Sequence, residues 1–151
     1  MDAQPQIDAL MTAFLAAVSF EPGTQPDYER IRALFIASGL LIKNTAATPE
    51  ISGIDAFIEP RRALVQGGRL TRFREVEVSQ RTQVFGQVAQ RMSAYTKDGI
   101  SDGTAFSARG VIFTQFISTP EGWRISSMAW DDERPGLAIP GAWLASSGDV
   151  R

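Results

Sequence analysis

Two residue types are missing from these 151 residues altogether: cysteine and histidine. Without cysteine there is no disulfide, no thiolate nucleophile and no Cys-ligated metal. The lack fits a reducing compartment, and the expected location is the cytoplasm. Without histidine, a Ser-His-Asp triad, a His general base and the common His-based zinc and iron sites are excluded. Any acid–base chemistry then falls to carboxylates, tyrosine, lysine or water. An all-oxygen site for a hard cation stays open, but no EF-hand loop occurs, and no metal or cofactor is expected. A strong charge of one sign is also lacking. The net charge of −2 provides no basic field for nucleic acid. No apolar run reaches about 18 residues, so no membrane-spanning helix is expected. The opening MDAQPQIDALMTAFLAAVSF carries acidic residues and periodic rather than continuous apolar ones, which predicts a helix and not a signal peptide.

What is present is the composition of an ordinary globular chain, 44% apolar and 21% charged. The length suits one domain over residues 1–151, with a core over about 7–136 and an irregular tail over 137–151. Ile7, Leu10, Met11, Phe14, Leu15 and Val18 form one apolar stripe at helical spacing. Asp27 is positioned to cap a second helix with Tyr28, Ile31, Leu34 and Phe35 on its apolar face, closed by Gly39. A short strand over Leu40–Thr45 puts Leu40, Ile42 and Asn44 on one face and Leu41, Lys43 and Thr45 on the other. After a loop over 46–51, Ser52 caps a third helix carrying Ile54, Phe57, Ile58, Arg61 and Val65 on one side. Pro60 is expected to bend it and Gly67-Gly68 to stop it.

From Leu70 the period changes to two. Strands are predicted over 70–85, 87–97, 104–118 and 122–130. Asp98-Gly99 reads as a hairpin turn, Thr119–Gly122 as another, and Gly86 as a bulge that curves the sheet. Neighbouring strands joined by short turns are antiparallel. Helices first and long strands after is an α+β order.

This order, with a capped helix ending in ALFIASG, a helix opening on SGIDAF and a last strand EGWRISSMAWDDERPG, resembles the NTF2-like superfamily, most closely its SnoaL-like branch. The resemblance runs from about Ile7 to Gly136 and rests on element order and the final Gly-Trp-Arg-Ile strand; no catalytic signature accompanies it. It implies a cone-shaped, cystatin-like roll in which three N-terminal helices pack on a curved antiparallel sheet around a cavity. It also implies frequent homodimers. Members range from isomerases, cyclases, hydrolases and dehydratases to binders without activity, so the resemblance selects no function. The ketosteroid isomerase roles do not transfer. Phe14 stands where that branch has its tyrosine donor and Asn44 where it has its Asp base, while Ile112 or Phe113 stands near its second acid.

Phe14, Tyr28, Phe35, Asn44 and Phe57 are therefore the expected cavity lining, with Arg61, Tyr95 and Arg109 as polar candidates. Asn44 either orients a ligand oxygen or satisfies backbone groups at a strand end. Tyr28 and Tyr95 each offer a polar tip in an apolar wall, or simply pack. Arg61 interrupts an apolar helix face, which points to an anionic ligand, an internal carboxylate or a snorkelling side chain at the rim. Arg109, alone in an uncharged strand, raises the same question or lies on the outer face. Arg61, Arg62, Arg69, Arg72, Arg74 and Arg81 look like a basic patch, but Glu75 and Glu77 interleave with them and cross-strand ion pairs account for the pattern better. Asp131, first of the cluster Asp131-Asp132-Glu133, is the weak catalytic candidate. The leading reading is a pocket protein for a small, largely apolar molecule. The alternatives are a carboxylate-dependent cyclase, hydrolase or dehydratase, and a dimerisation module with a vestigial cavity. A homodimer is expected through the outer sheet face, because Val111, Phe113 and Ile117 share one face of their strand while Ile112 and Phe116 share the other.

Overall fold

The first apolar stripe folds as its spacing predicts. Helix α1 (Ala3–Val18) buries Ile7, Leu10, Met11, Phe14 and Val18, and Asp2 caps it by accepting from the Gln4 N–H at 3.1 Å. The computed structural model describes residues 2–145; residue 1 and residues 146–151, the end of the expected tail, lie outside the described residues.

The second predicted helix takes a different form. Asp27 precedes a six-residue 3-10 turn, Tyr28–Ala33, and the chain passes straight into strand β1 (Phe35–Lys43). The burial expected of this segment holds: Tyr28, Ile31, Leu34 and Phe35 are all buried. Gly39 therefore lies within a strand, where it has a packing reason rather than a capping one. A Cβ there would strike the Phe35 ring. A short strand β2 (Glu50–Ser52) falls in the segment read as a loop, so Ser52 is in a strand and Gly53 caps helix α2 (Ile54–Gln66). Pro60 sits inside α2, which buries Phe57 and Ile58.

Four long strands follow: β3 (Leu70–Phe85), β4 (Val88–Ser101), β5 (Thr104–Thr119) and β6 (Gly122–Asp132). They pair antiparallel in sequence order, and the sheet runs β2-β1-β6-β5-β4-β3. β1 lies parallel to β6, which makes the sheet mixed rather than wholly antiparallel. These two strands are not joined by a hairpin; the chain passes through β2, α2 and three long strands before β6 returns beside β1.

Two turn assignments shift. Asp98-Gly99 lies inside β4, and the hairpin falls on Asp102-Gly103, where both residues have positive φ (50° and 76°), as a tight two-residue turn between twisted strands requires. Gly99 is a glycine because a Cβ would collide with the Arg72 carbonyl and the Phe106 ring. Gly86 forms the β3–β4 turn with φ 58° instead of a bulge. The bulge sits at Val78, between Glu77 and Ser79. It has a structural consequence, because one extra residue reverses which face each later side chain joins. Glu77 reaches the inner network of Arg91, whereas Ser79 donates to the Trp143 carbonyl on the outer face, at 2.6 Å.

The helices cover the concave face, and the main core forms between them and the inward residues Tyr95, Ile112, Phe116, Ile125 and Met128. The tail folds back over the outer face, where Ile139 packs with Met92 and Ala94. Among the described residues no helix is long and apolar enough to cross a membrane.

Candidate ligand cavity

Between α1, α2 and the concave face lies a cavity of about 320 Å³. The register explains its floor. Ile112, Trp130, Lys43 and Glu50 are successive cross-strand partners through β5, β6, β1 and β2, and all four line the cavity. Glu75 and Lys97 face each other across β3 and β4 on the same face, as a second polar pair. The roof is aromatic. Phe57 stacks at a tilt on Phe14 with ring centres 6.4 Å apart, and meets Trp130 edge-on at 6.2 Å.

Of the expected lining, Phe14, Tyr28, Phe57 and Arg61 meet here. Phe35 packs edge-on against Phe14 within the core and does not reach the cavity. Asn44 points the other way. Leu41 is buried while Leu40 is 40% exposed, so Lys43 turns inward and Asn44 joins the outer face. Alternation separates the two faces of a strand without saying which is inner, and Leu40-Leu41 offers no contrast to decide it. Arg109 lies on the outer face and pairs with Glu133 at 3.6 Å. Tyr95 sits in the middle of β4, fully buried, and its hydroxyl crosses Gly110 to reach the Asp132 carboxylate and the Asp131 carbonyl. A side chain at position 110 would occupy the space of the Tyr95 ring. Burial first, and the hydrogen bond with Asp132 second, push the Tyr95 hydroxyl pKa far up.

Arg61 is held three ways. Its guanidinium stacks 3.7 Å from the centre of the Phe57 ring, donates to the Phe57 carbonyl at 3.0 Å and pairs loosely with Glu50 at 3.4 Å. Burial lowers its pKa, with Glu50 opposing. Tyr28 beside it is raised by burial, with the Arg61 charge opposing.

Glu75 is the group that the sequence reading missed. The interleaved charges predict a cross-strand ion pair with the neighbouring arginines, yet among the described residues its carboxylate makes no hydrogen bond or ion pair. Arg72 instead pairs with Glu21 and Asp98, and Arg69 with Asp102. Burial raises the Glu75 pKa to about 7; Lys97 and Arg61 oppose the rise and Asp132 adds to it. Lys97 is itself anchored 3.0 Å from the Asp132 carboxylate. A usable signal was present: Phe73 and Glu75 share a face by period two, and that face is the aromatic one.

Asp131 does not enter the cavity. It pairs with Arg134 at 2.8 Å beside an outer cleft of about 410 Å³ between the tail and the sheet. Asp132 turns to Lys97, and Glu133 accepts from the Ile139 N–H. The three carboxylates thus diverge, and among the described residues no cluster of metal-ligating side chains forms.

No protein-family model matches the sequence, and no curated protein matches it. Solved structures share the fold. One is a proposed aromatic ring hydroxylase of Novosphingobium aromaticivorans, 19% identical, with 88% of this chain and 90% of that one covered and a TM-score of 0.72. Another is an NTF2-like superfamily protein of Salmonella enterica serovar Typhimurium, 14% identical over 92% and 95%, TM-score 0.73. A third is a proposed calcium/calmodulin-dependent kinase II association domain of Exiguobacterium sibiricum, 12% identical over 89% and 96%, TM-score 0.67. The fold is NTF2-like.

Proposed function

We propose that this NTF2-like fold, of the SnoaL-like kind, holds one small, largely apolar molecule between its helices and the concave sheet face. The observation that carries this reading is the aromatic-roofed cavity of about 320 Å³, with a few ionisable groups converging on it. Sites for small molecules have this make-up: apolar walls and sparse polar groups that fix orientation. The cavity carries two carboxylates, Glu50, which pairs with Arg61, and the unpaired Glu75; Asp131 faces the outer cleft.

2-Naphthol serves as a probe, read through the fluorescence of Trp130 in the cavity wall. Saturable binding is expected. Leu64→Trp, which adds bulk to the cavity lining from α2, should weaken it by about tenfold or more while leaving the melting temperature nearly unchanged. Equal affinity in that variant would place the probe elsewhere and refute the reading.

A homodimer through the outer face is the second part of the proposal. The tail covers Met92, Ala94 and Val111, yet Phe113 stays 53% exposed even with Trp143 packed edge-on 6.0 Å away. Ile51, Leu40 and Leu137 on the same side are also exposed. An apolar patch of this kind marks an association surface, and a stable pair needs about 800 Å² from each partner. An association domain shares this fold, which suits the same use. Sedimentation equilibrium should show a dimer, and Phe113→Glu should convert it to a folded monomer, because association would bury an unpaired carboxylate. A wild-type monomer at all concentrations would mean that the tail alone covers the face.

A further inference from the structure

Two charged groups at the cavity stand unpaired, and they point to a ligand class. Lys43, Arg61 and Lys97 line it, against Glu50 and Glu75. Arg61 is matched by Glu50, and Lys97 by Asp132. That leaves Lys43, which has no carboxylate within ion-pair distance among the described residues, and Glu75, which has no partner either. The two are not paired with each other. A half-buried ammonium without a counter-ion is a costly arrangement that a bound anion relieves.

We propose that the polar group of the ligand is an anion, a carboxylate carried on an apolar ring system, and that it binds together with a proton held by Glu75. This rests on the cavity being the ligand site. The apolar body lies against Phe57 and Trp130, and the carboxylate is drawn to the ammonium of Lys97, while the unpaired Lys43 adds positive potential from across the cavity. Glu75 is the direct cross-strand neighbour of Lys97, so an anion drawn to Lys97 comes close to Glu75 as well. Two facing carboxylates do not both stay ionised; they share a proton. Protonated Glu75 then donates its O–H to the ligand oxygen, and ionised Glu75 repels it. Other charged groups also face Glu75. They are Lys97 from β4, Arg61 from α2 and Asp132 from β6, the last held by Lys97 and Tyr95. Lys43 and Glu50 stand across the cavity.

Calorimetric titration of the full chain with 2-naphthoate and with its neutral counterpart 2-naphthamide tests this. At about pH 6, naphthoate should bind about tenfold or more tightly than the amide. Between about pH 7 and 8.5 its affinity should fall by up to about tenfold per pH unit, the slope of one linked proton, while the amide shows little change. Glu75→Gln, whose amide donates as the protonated acid does, should keep the preference for naphthoate and flatten the pH dependence. Lys43→Met, checked for an unchanged melting temperature, should weaken naphthoate more than the amide. Equal or tighter binding of the amide at about pH 6, or the same pH slope in Glu75→Gln as in the wild type, overturns the proposal. If neither compound nor 2-naphthol binds, the cavity reading falls and this inference falls with it.

Discussion

Replacing Arg91 with methionine is expected to lower the stability of the fold by about 3–5 kcal/mol at neutral pH, the range for breaking a buried ion pair from one side. Arg91 is only 4% exposed, although it is an arginine in the middle of a sheet. Its guanidinium forms a two-pronged bond to Glu77, at 3.0 and 2.7 Å, and a third bond at 2.6 Å to Asp8 on α1. Ser93 also donates to Glu77, at 2.6 Å, and Gln4 to Asp8, at 2.9 Å. The network therefore joins α1 to β3 and β4. Methionine keeps most of the volume but leaves Glu77 charged, poorly hydrated and without a cation. Asp8, half exposed, can rehydrate. The double variant Arg91→Met/Glu77→Leu should recover most of the loss, since an apolar replacement of both partners removes the stranded charge. Urea unfolding of the three proteins measures this. A single-variant loss below about 1 kcal/mol would show that the network contributes only position and not stability.

The second large effect concerns Glu75 and has the opposite sign to that of most carboxylates. Its folded-state pKa is about 7 against a usual 4.5. Between these values the folded state binds the extra proton, so stability falls as pH rises through this window. The contribution is absent below about pH 4.5 and fully expressed above about pH 7, where it amounts to on the order of 3 kcal/mol at most. Glu29 works the other way. Its hydrogen bonds from Arg32 and Arg62 hold its pKa down to about 2, and stability from it is lost progressively as the pH falls from 4.5 through that value. The clean quantity is therefore a difference between proteins. Glu75→Gln should be more stable than the wild type at about pH 8, and the two should converge toward about pH 4.5. A Glu75→Gln protein less stable than the wild type at about pH 8 would mean that the carboxylate has a cation partner in solution.

How far the sequence could be read depended on whether a signal was local. The stripe from Ile7 to Val18, the four long period-two runs and the burial of Tyr28, Ile31, Leu34 and Phe35 all emerged from spacing, because side-chain direction within one element repeats at a known interval. The form of the second segment did not emerge. Tyr28–Ala33 is too short to sustain an α-helix once Phe35 is drawn into the sheet beside Ile125. The hairpin turns were misplaced by the presence of two Asp-Gly pairs in one run, Asp98-Gly99 and Asp102-Gly103. Only the second adopts positive φ, and the first owes its glycine to Phe106 packing on it from the next strand.

By itself, the sequence determined the α+β order, the helical and strand periods, and the exclusion of histidine and cysteine chemistry. These follow from composition and from forces acting within a few residues. Tertiary structure alone decided that Lys43 faces inward and Asn44 outward, that the bulge at Val78 sends Glu77 to the helices and Ser79 to the tail, and that Glu75 stands without an ion pair. The physical reason is common to all three. A strand's period separates its two faces, but only the element packed against the sheet decides which face loses its water, and a carboxylate changes character with that loss.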